Sequence, residues 1–527
     1  MNKLNLIKGF SILLLATVGF GNSQDTKAAE VSEKPSEITI TLHKKGFESL
    51  PADQANSGLV SDKFGEENIA GVDFEQFDVS AVYYDLLKDD PDTQDVDDGM
   101  TAAAAIAWMQ KKDYKDWNTI LNGVDPIDSH TTTDNGTAVF NNVQVSDDDG
   151  KDKVYLFLET YSPAHISKVA APMVVMMPVM MPNVVDGTWD GSSWKDTFNT
   201  DVHLYPKNEV READKKMNVP AGDELREVIL DKGDEGTETI SYLDLEKGKQ
   251  VSYTITAPIP YFIDSINGDS SAVIKNFVIT DTPTAGLSYF DQEIEVKVGE
   301  EELVKGTDYS VAQSDNGFAV TILTETNGVA NAETLAKLAE GRGGDLTITY
   351  NMLVTATIKA DEFHNNTATI LIGRNDAYDY DEEVIPDEKV ATGGRKFEKY
   401  DASSKQTLSG AQFEIWNGNK DKFAVFYKDG AELTTYEAGA DRIVWSDSGS
   451  GVAATKFTSD DQGKFEVQGL DYGTYHAKEV VAPSGYALPA GDKAFTTFTV
   501  FFGSYDESVS VSGQVNPGEE SIPNIKK

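Results

Sequence analysis

From about residue 35 onward, apolar and polar positions alternate in short runs rich in Val, Ile, Thr, Tyr and Phe, broken by Gly, Asn and Asp clusters. Ile38 to Leu42, Val251 to Thr256, Asp345 to Tyr350, Thr367 to Ile372 and Phe495 to Phe502 are examples. Alternation of period two predicts half-buried strands, and many such strands with turn signals between them predict antiparallel sandwiches. Helical spacing is confined to two places. Asp98 to Ile120 carries an alanine run with Trp108 and Trp117, and Asn331 to Glu340 places Leu335 and Leu338 on one face before Gly341. Met173 to Met181, broken by Pro178, predicts a core strand whose methionines pack rather than bind a metal. The fold class expected is all-β, three tandem immunoglobulin-like sandwiches with small helical insertions.

The chain of 527 residues has room for three or four domains. Lys3 and Lys8 precede a short apolar stretch from Gly9 to Phe20, and Thr26, Ala28 and Ala29 offer small residues for cleavage, so residues 1–29 read as a signal peptide. The apolar stretch is too short to span a bilayer. Polar junctions at Tyr205 to Asp223 and Asp387 to Gly394 then divide the remainder into 30–206, 207–389 and 390–527. The net charge of -43, from 88 acidic and 45 basic residues, repels nucleic acid and anionic membranes and keeps an exported protein soluble. There is no cysteine, so a load-bearing role outside the cell would need another covalent staple.

The third domain opens Phe397-Glu398-Lys399-Tyr400-Asp401 and continues Leu408-Ser409-Gly410-Ala411-Gln412-Phe413. Towards its end come Tyr475-His476-Ala477-Lys478-Glu479-Val480-Val481-Ala482-Pro483-Ser484-Gly485-Tyr486 and Ile522-Pro523-Asn524-Ile525. Alternation puts Lys399 on the face of Phe397, and Glu479 on the face of Tyr475 and Ala477. Two inward charges are costly unless they neutralise each other. These motifs resemble the collagen-adhesin B-type domains of Gram-positive backbone pilins, including the E-box run that ends in Ala-Pro-x-Gly-Tyr. The resemblance implies an isopeptide bond in which Lys399 is the nucleophile, Asn524 the electrophile and Glu479 the assisting acid. The chemistry suits burial, which keeps a lysine amine neutral and a carboxyl protonated.

Val278-Ile279-Thr280-Asp281-Thr282-Pro283 and Asn365-Asn366-Thr367 in the second domain resemble the A-type middle domains of the same pilins. That likeness implies Asp281 as the acid and Asn366 as the electrophile. The nucleophile is Lys215 or Lys216, with Lys215 favoured because it shares the face of Met217. In the first domain Ile38, Ile40, Leu42 and Lys44 share a face, making Lys44 the inward lysine. Val154-Tyr155-Leu156-Phe157-Leu158-Glu159 resembles an E-box without its Gly-Tyr ending, with Glu159 as acid and Asn208 as the matching asparagine.

Asp201-Val202-His203-Leu204-Tyr205-Pro206-Lys207-Asn208 resembles the pilin motif of shaft subunits. There a class C sortase holds the preceding subunit as a thioacyl enzyme, and the lysine, here Lys207, attacks it. Alternation turns Lys207 outward and Asn208 inward. An exposed lysine is protonated at neutral pH, so the sortase must take its proton. The family's Leu-Pro-x-Thr-Gly sorting signal does not precede Lys527, and the expectation is that the given sequence stops before it.

Six scattered histidines form no zinc pattern, Asp147-Asp148-Asp149-Gly150 and Asp89 to Asp98 lack EF-hand spacing, and neither a phosphate loop nor a nucleophile elbow occurs. No cofactor or metal is expected, and no enzyme beyond single-turnover self-crosslinking. The resemblance implies a wall-attached surface pilus whose partners are identical subunits, the class C sortase, minor pilins and a host matrix or cell-surface ligand. The rival reading is a tip or wall-anchored adhesin, for which Asp98 to Ile120 would be the binding element.

Overall fold

A computed structural model describes residues 33–51, 56–65, 67–93, 98–185, 188–290 and 294–527. The signal-peptide expectation lies outside the described residues. The chain is all-β with few helices, and its strands pair into facing sheets whose inner faces carry the apolar half of each alternating run.

In the N-terminal unit the strand Glu37–His43 sits between Asp201–Leu204, parallel to it, and Thr137–Gln144, antiparallel. After a one-residue break the chain continues as Lys45–Phe47, parallel to Lys207–Val210, with Lys207 opposite Lys45 and Asn208 opposite Gly46. The facing sheet runs Asp128–Thr131, Asp73–Asp78, Val154–Tyr161, Met173–Met176. Ile40, Leu42, Phe74, Phe140, Phe157 and Leu204 fill the space between them. Val154 to Leu158 is apolar at every position because both faces are covered. Tyr155 and Phe157 point into the sandwich, and Leu156 and Leu158 point to a helical layer around the fully buried Trp117.

That layer differs from the single helical insertion predicted at Asp98 to Ile120. Ala102–Gln110, capped by Thr101, and Tyr114–Ile120, capped by Asp113, are separate helices. A third, Ser80–Leu86, has no side-chain cap. Its Val-Tyr-Tyr core reads locally as strand, and packing of Tyr83 and Leu86 on the layer overrides that preference. The methionine-rich segment is also two strands rather than one. Met173–Met176 joins the facing sheet, whereas Met180–Val185 pairs with Thr188–Phe198 in a separate hairpin. Pro178 lies between them and cannot donate to a ladder.

The middle unit packs the sheet Asp214–Asn218, Gln250–Pro258, Asp345–Val354, Glu295–Val298 against Tyr309–Gln313, Phe318–Ile322, Asn276–Pro283, Asn366–Gly373, Tyr380–Val384. The predicted helix is Ala332–Glu340, capped by Asn331 and ending at Gly341. Arg374 ties this unit to the first, donating from Nη1 to Asp73 Oδ2 at 2.5 Å with its guanidinium 3.9 Å from the Tyr161 ring. The C-terminal unit faces Lys464–Leu470, Gly393–Asp401, Glu520–Asn524 against a sheet containing Gln412–Asn417, Gly473–Val481 and Phe495–Val500. Its first and last strands are parallel neighbours, with Lys399 opposite Ile522 and Asp401 opposite Asn524. Gly463 lets the turn after residue 460 close on this strand. At φ +75° an added Cβ would lie 2.4 Å from the Lys399 carbonyl oxygen, which no side chain tolerates.

Candidate functional site

Each unit brings together a buried lysine, a buried acid and a buried asparagine from distant parts of the chain. In the N-terminal unit Lys44 falls at the break between two strands, Glu159 on the facing sheet and Asn208 on the last strand, and all are almost fully buried. Lys44 Nζ donates to Glu159 Oε2 at 2.6 Å and also to Asn208 Oδ1, while Asn208 Nδ2 donates to Glu159 Oε1 at 2.9 Å. One carboxyl group therefore touches the amine with one oxygen and the amide nitrogen with the other. The backbone N–H of Ala170 also donates to Glu159 Oε2, at 2.9 Å. Burial pulls the Lys44 amine below its ordinary range against the opposing pull of Glu159.

The C-terminal unit repeats this arrangement. Lys399 Nζ donates to Glu479 Oε2 at 2.8 Å and Asn524 Nδ2 to Glu479 Oε1 at 2.8 Å. Where Lys44 Nζ donates to the asparagine oxygen, Lys399 Nζ donates instead to the Pro523 carbonyl at 3.2 Å, and Asn524 Oδ1 accepts from the Ile525 backbone N–H at 3.2 Å. The Ile525 N–H polarises the amide carbonyl and would stabilise negative charge developing on its oxygen. Burial lowers the Lys399 amine and raises the Glu479 carboxyl, so both shifts favour the neutral pair.

In the middle unit the lysine and asparagine stand on opposite sheets. Lys215 is buried on Asp214–Asn218, with Asp281 and Asn366 on adjacent strands of the facing sheet. Lys216 points outward and pairs with Asp214 at 2.7 Å. Lys215 Nζ and Tyr350 Oη both donate to Asp281 Oδ2, and Tyr350 Oη accepts from Asn366 Nδ2 at 3.1 Å. Burial brings the Lys215 amine down to about 8 and raises the Asp281 carboxyl. The tyrosine escaped the sequence reading, although its inward position between Ile348 and Met352 in strict alternation was a visible signal. It links acid to amide where the other two units use a second carboxylate oxygen.

Lys207 lies apart from these centres, half-buried, next to the fully buried Asn208. The preceding turn is fixed by Tyr205, whose N–H donates to Asn56 Oδ1 at 2.8 Å and whose hydroxyl accepts from the Ser61 N–H at 2.7 Å. Lys207 Nζ sits 4.8 Å from the centroid of the Phe64 ring. Among the described residues no cluster of His, Cys, Asp and Glu could hold a metal, and no helix is long and apolar enough to cross a membrane.

Comparison with known proteins places these centres in context. Residues 35–209 match the N-terminal domain D1 of Gram-positive pilin subunits, and residues 393–512 match a prealbumin-like fold domain. The chain is 27% identical over 362 residues to fimbrial subunit type 2 of Actinomyces naeslundii, covering 64% of this chain and 58% of that protein. It is 24% identical over 397 residues to fimbrial subunit type 1 of Actinomyces viscosus, covering 69% and 65%. The matched region thus spans less than two thirds of each of these relatives. The full-length RrgB pilus protein of Streptococcus pneumoniae shares the fold, with a TM-score of 0.50 at 16% identity over 94% of this chain and 99% of that one.

Proposed function

We propose that this chain, which carries a Gram-positive pilin D1 domain and a prealbumin-like domain, is the shaft subunit of a surface pilus, joined to its neighbours through Lys207 by a class C sortase. The observation that carries the reading is the pair of consecutive residues on the strand Lys207–Val210. Asn208 is fully buried against Lys44 and Glu159, and Lys207 beside it is half-exposed. A self-crosslink through Asn208 would anchor the segment that presents the acceptor.

The three buried centres supply intramolecular isopeptide bonds Lys44–Asn208, Lys215–Asn366 and Lys399–Asn524, assisted by Glu159, Asp281 and Glu479. In each, the neutral amine attacks the asparagine Cγ, the Nζ–Cγ bond forms and the Cγ–Nδ2 bond breaks. The proton given up by Nζ passes through the carboxyl group to Nδ2, in the middle unit by way of the Tyr350 hydroxyl, and Nδ2 leaves as ammonia. Intact mass is therefore expected to fall short of the sequence mass by about 17 Da for each bond and about 51 Da for three. A secreted chain at the full sequence mass would remove the crosslinks from this account.

The middle centre has its own pH signature. The reactive form, neutral Lys215 with protonated Asp281, contains one ionisable proton in total, as does the ion pair. Above about 8 that proton is lost as the amine and acid both stand deprotonated. Below the raised Asp281 range a second proton arrives and the amine is charged. Bond formation is thus expected to be bell-shaped in pH, read by mass after refolding chain from insoluble aggregates into a pH series. Tyr350→Phe breaks the bridge to Asn366 Nδ2 and is expected to slow this bond by about 10²-fold across that range. An unchanged rate would remove Tyr350 from the relay.

A further inference from the structure

The acceptor segment ends a column of rings that none of the crosslinks requires. His43 closes the strand Glu37–His43 immediately before Lys44, and His203 lies on the parallel neighbour, opposite Thr41. His43 Nε2 and His203 Nδ1 are 2.8 Å apart. Two imidazole nitrogens at that distance need one N–H and one lone pair, so the facing atoms share a single proton. The His43 ring stacks on Tyr205 with centroids 4.8 Å apart and an interplanar angle of 13°. Tyr205 stacks on Phe64 at 4.4 Å and 11°, and Phe64 carries the Lys207 ammonium at 4.8 Å. Contact is unbroken from the histidine pair to the acceptor amine.

We propose that His43 and His203 are positioning residues for the Lys207 acceptor, and that the proton they share makes presentation of that lysine sensitive to acid. The inference rests on Lys207 being the polymerisation lysine. Its partner is the thioacyl-charged sortase already invoked, and the pair acts on how the amine is offered to it. When both rings are protonated, two N–H groups and two positive charges face each other across 2.8 Å, and the hydrogen bond is lost. The His43 ring then no longer backs Tyr205, and the Tyr205–Phe64 platform under Lys207 loosens.

The charges around the pair set the direction. Burial, His203 and Lys45 all keep His43 neutral, and Asp201 opposes them. Asp201 Oδ2 lies 3.4 Å from His203 Nε2, and the charge of Asp62 is felt at the Tyr205 hydroxyl. Because burial and its neighbours hold the His43 ring below its ordinary range, the ordered column is present through the ordinary imidazole range and is lost as pH falls through that lowered range.

The test compares the intact wild-type chain with His203→Gln, whose amide can bond to His43 and does not titrate. Transfer of a sorting-motif peptide to Lys207 by purified class C sortase is measured for both at about pH 7.5 and about pH 5. Taking the ratio of the two proteins cancels the titration of the sortase and of the attacking amine. The ratio of wild type to His203→Gln is expected to be near one at the higher pH and to fall about fivefold at the lower. His203→Ala is expected to be slow at both, with its Lys44–Asn208 mass deficit retained as the check on folding. Acylation of Lys207 by a hydroxysuccinimide ester, mapped by peptide mass, should show the same pH-dependent ratio without the enzyme. Transfer to Lys207 with a ratio independent of pH overturns this inference alone. Transfer to a different lysine overturns it together with the shaft reading.

Discussion

Lys207→Ala is expected to eliminate the high-molecular-weight ladder of the pilus while monomer is secreted at its normal level and with its normal mass deficit. The separation follows from the placement of Lys207 and Asn208. The buried asparagine serves the N-terminal core, with Lys44 and Glu159, whereas the lysine beside it touches the Phe64 ring outside that core. Truncating Lys207 at this half-buried position leaves the Asn208 hydrogen bonds in place, a change expected to cost less than about 1 kcal/mol. On the proposed reading, by contrast, loss of Lys207 is all-or-none for chain growth, because the thioacyl enzyme then finds no acceptor amine at this position. Lys207→Arg should fail equally, since a guanidinium stays protonated where an amine can be deprotonated. Ladders that persist in Lys207→Ala would move the acceptor to another lysine.

The second large effect is expected from Glu479→Gln. The amide keeps the volume of the acid and can still meet Asn524, but it cannot carry the proton from Lys399 Nζ to Asn524 Nδ2. The chain should therefore be heavier than wild type by about 16 Da, one retained ammonia of about 17 Da less the roughly 1 Da by which glutamine is lighter than glutamate. The first and last strands of the C-terminal unit, parallel neighbours from Phe397 to Asp401, would then be held by hydrogen bonds alone. A crosslink closing a loop of roughly 100 residues is worth about 4–5 kcal/mol in the chain-entropy model. At about 4 °C for each kcal/mol in a domain of this size, that unit should melt on the order of 15–20 °C earlier. The buried Lys399 amine, left without its acid, adds to the loss. Calorimetry of the whole chain resolves this as one transition moving while the others stay. A shift of only a degree or two would mean that the staple contributes little.

How far the sequence leads depends on whether a feature is local. Strand alternation placed Lys44, Lys215 and Lys399 inward because period-two patterns report a face directly, and all three are buried. The sequence left Lys215 and Lys216 open, and the strand Asp214–Asn218 turns the first inward and the second outward. Pairing across the fold was less accessible. Tyr350 bridges Asp281 and Asn366 only because three strands from two sheets converge there. The helix Ser80–Leu86 was invisible because its residues favour a strand and only the layer around Trp117 makes it helical. Arg374 gripping Asp73 and Tyr161 joins residues far apart in the chain, and no spacing rule foretells it. The histidine pair had a partial signal, since His203 stood inside the recognised motif. Its partner His43 was masked by the lysine that follows it.

The most direct measurement of the central claim is proteolysis of pili from the cell surface, followed by mass spectrometry of the junction peptides. The account predicts that Lys207 is found in a branched peptide, its Nζ in an amide bond to the C-terminal residue of a neighbouring subunit, and is not cut by trypsin. Lys207 recovered as an ordinary cleaved lysine throughout the polymer, with the branch at another residue, would contradict it.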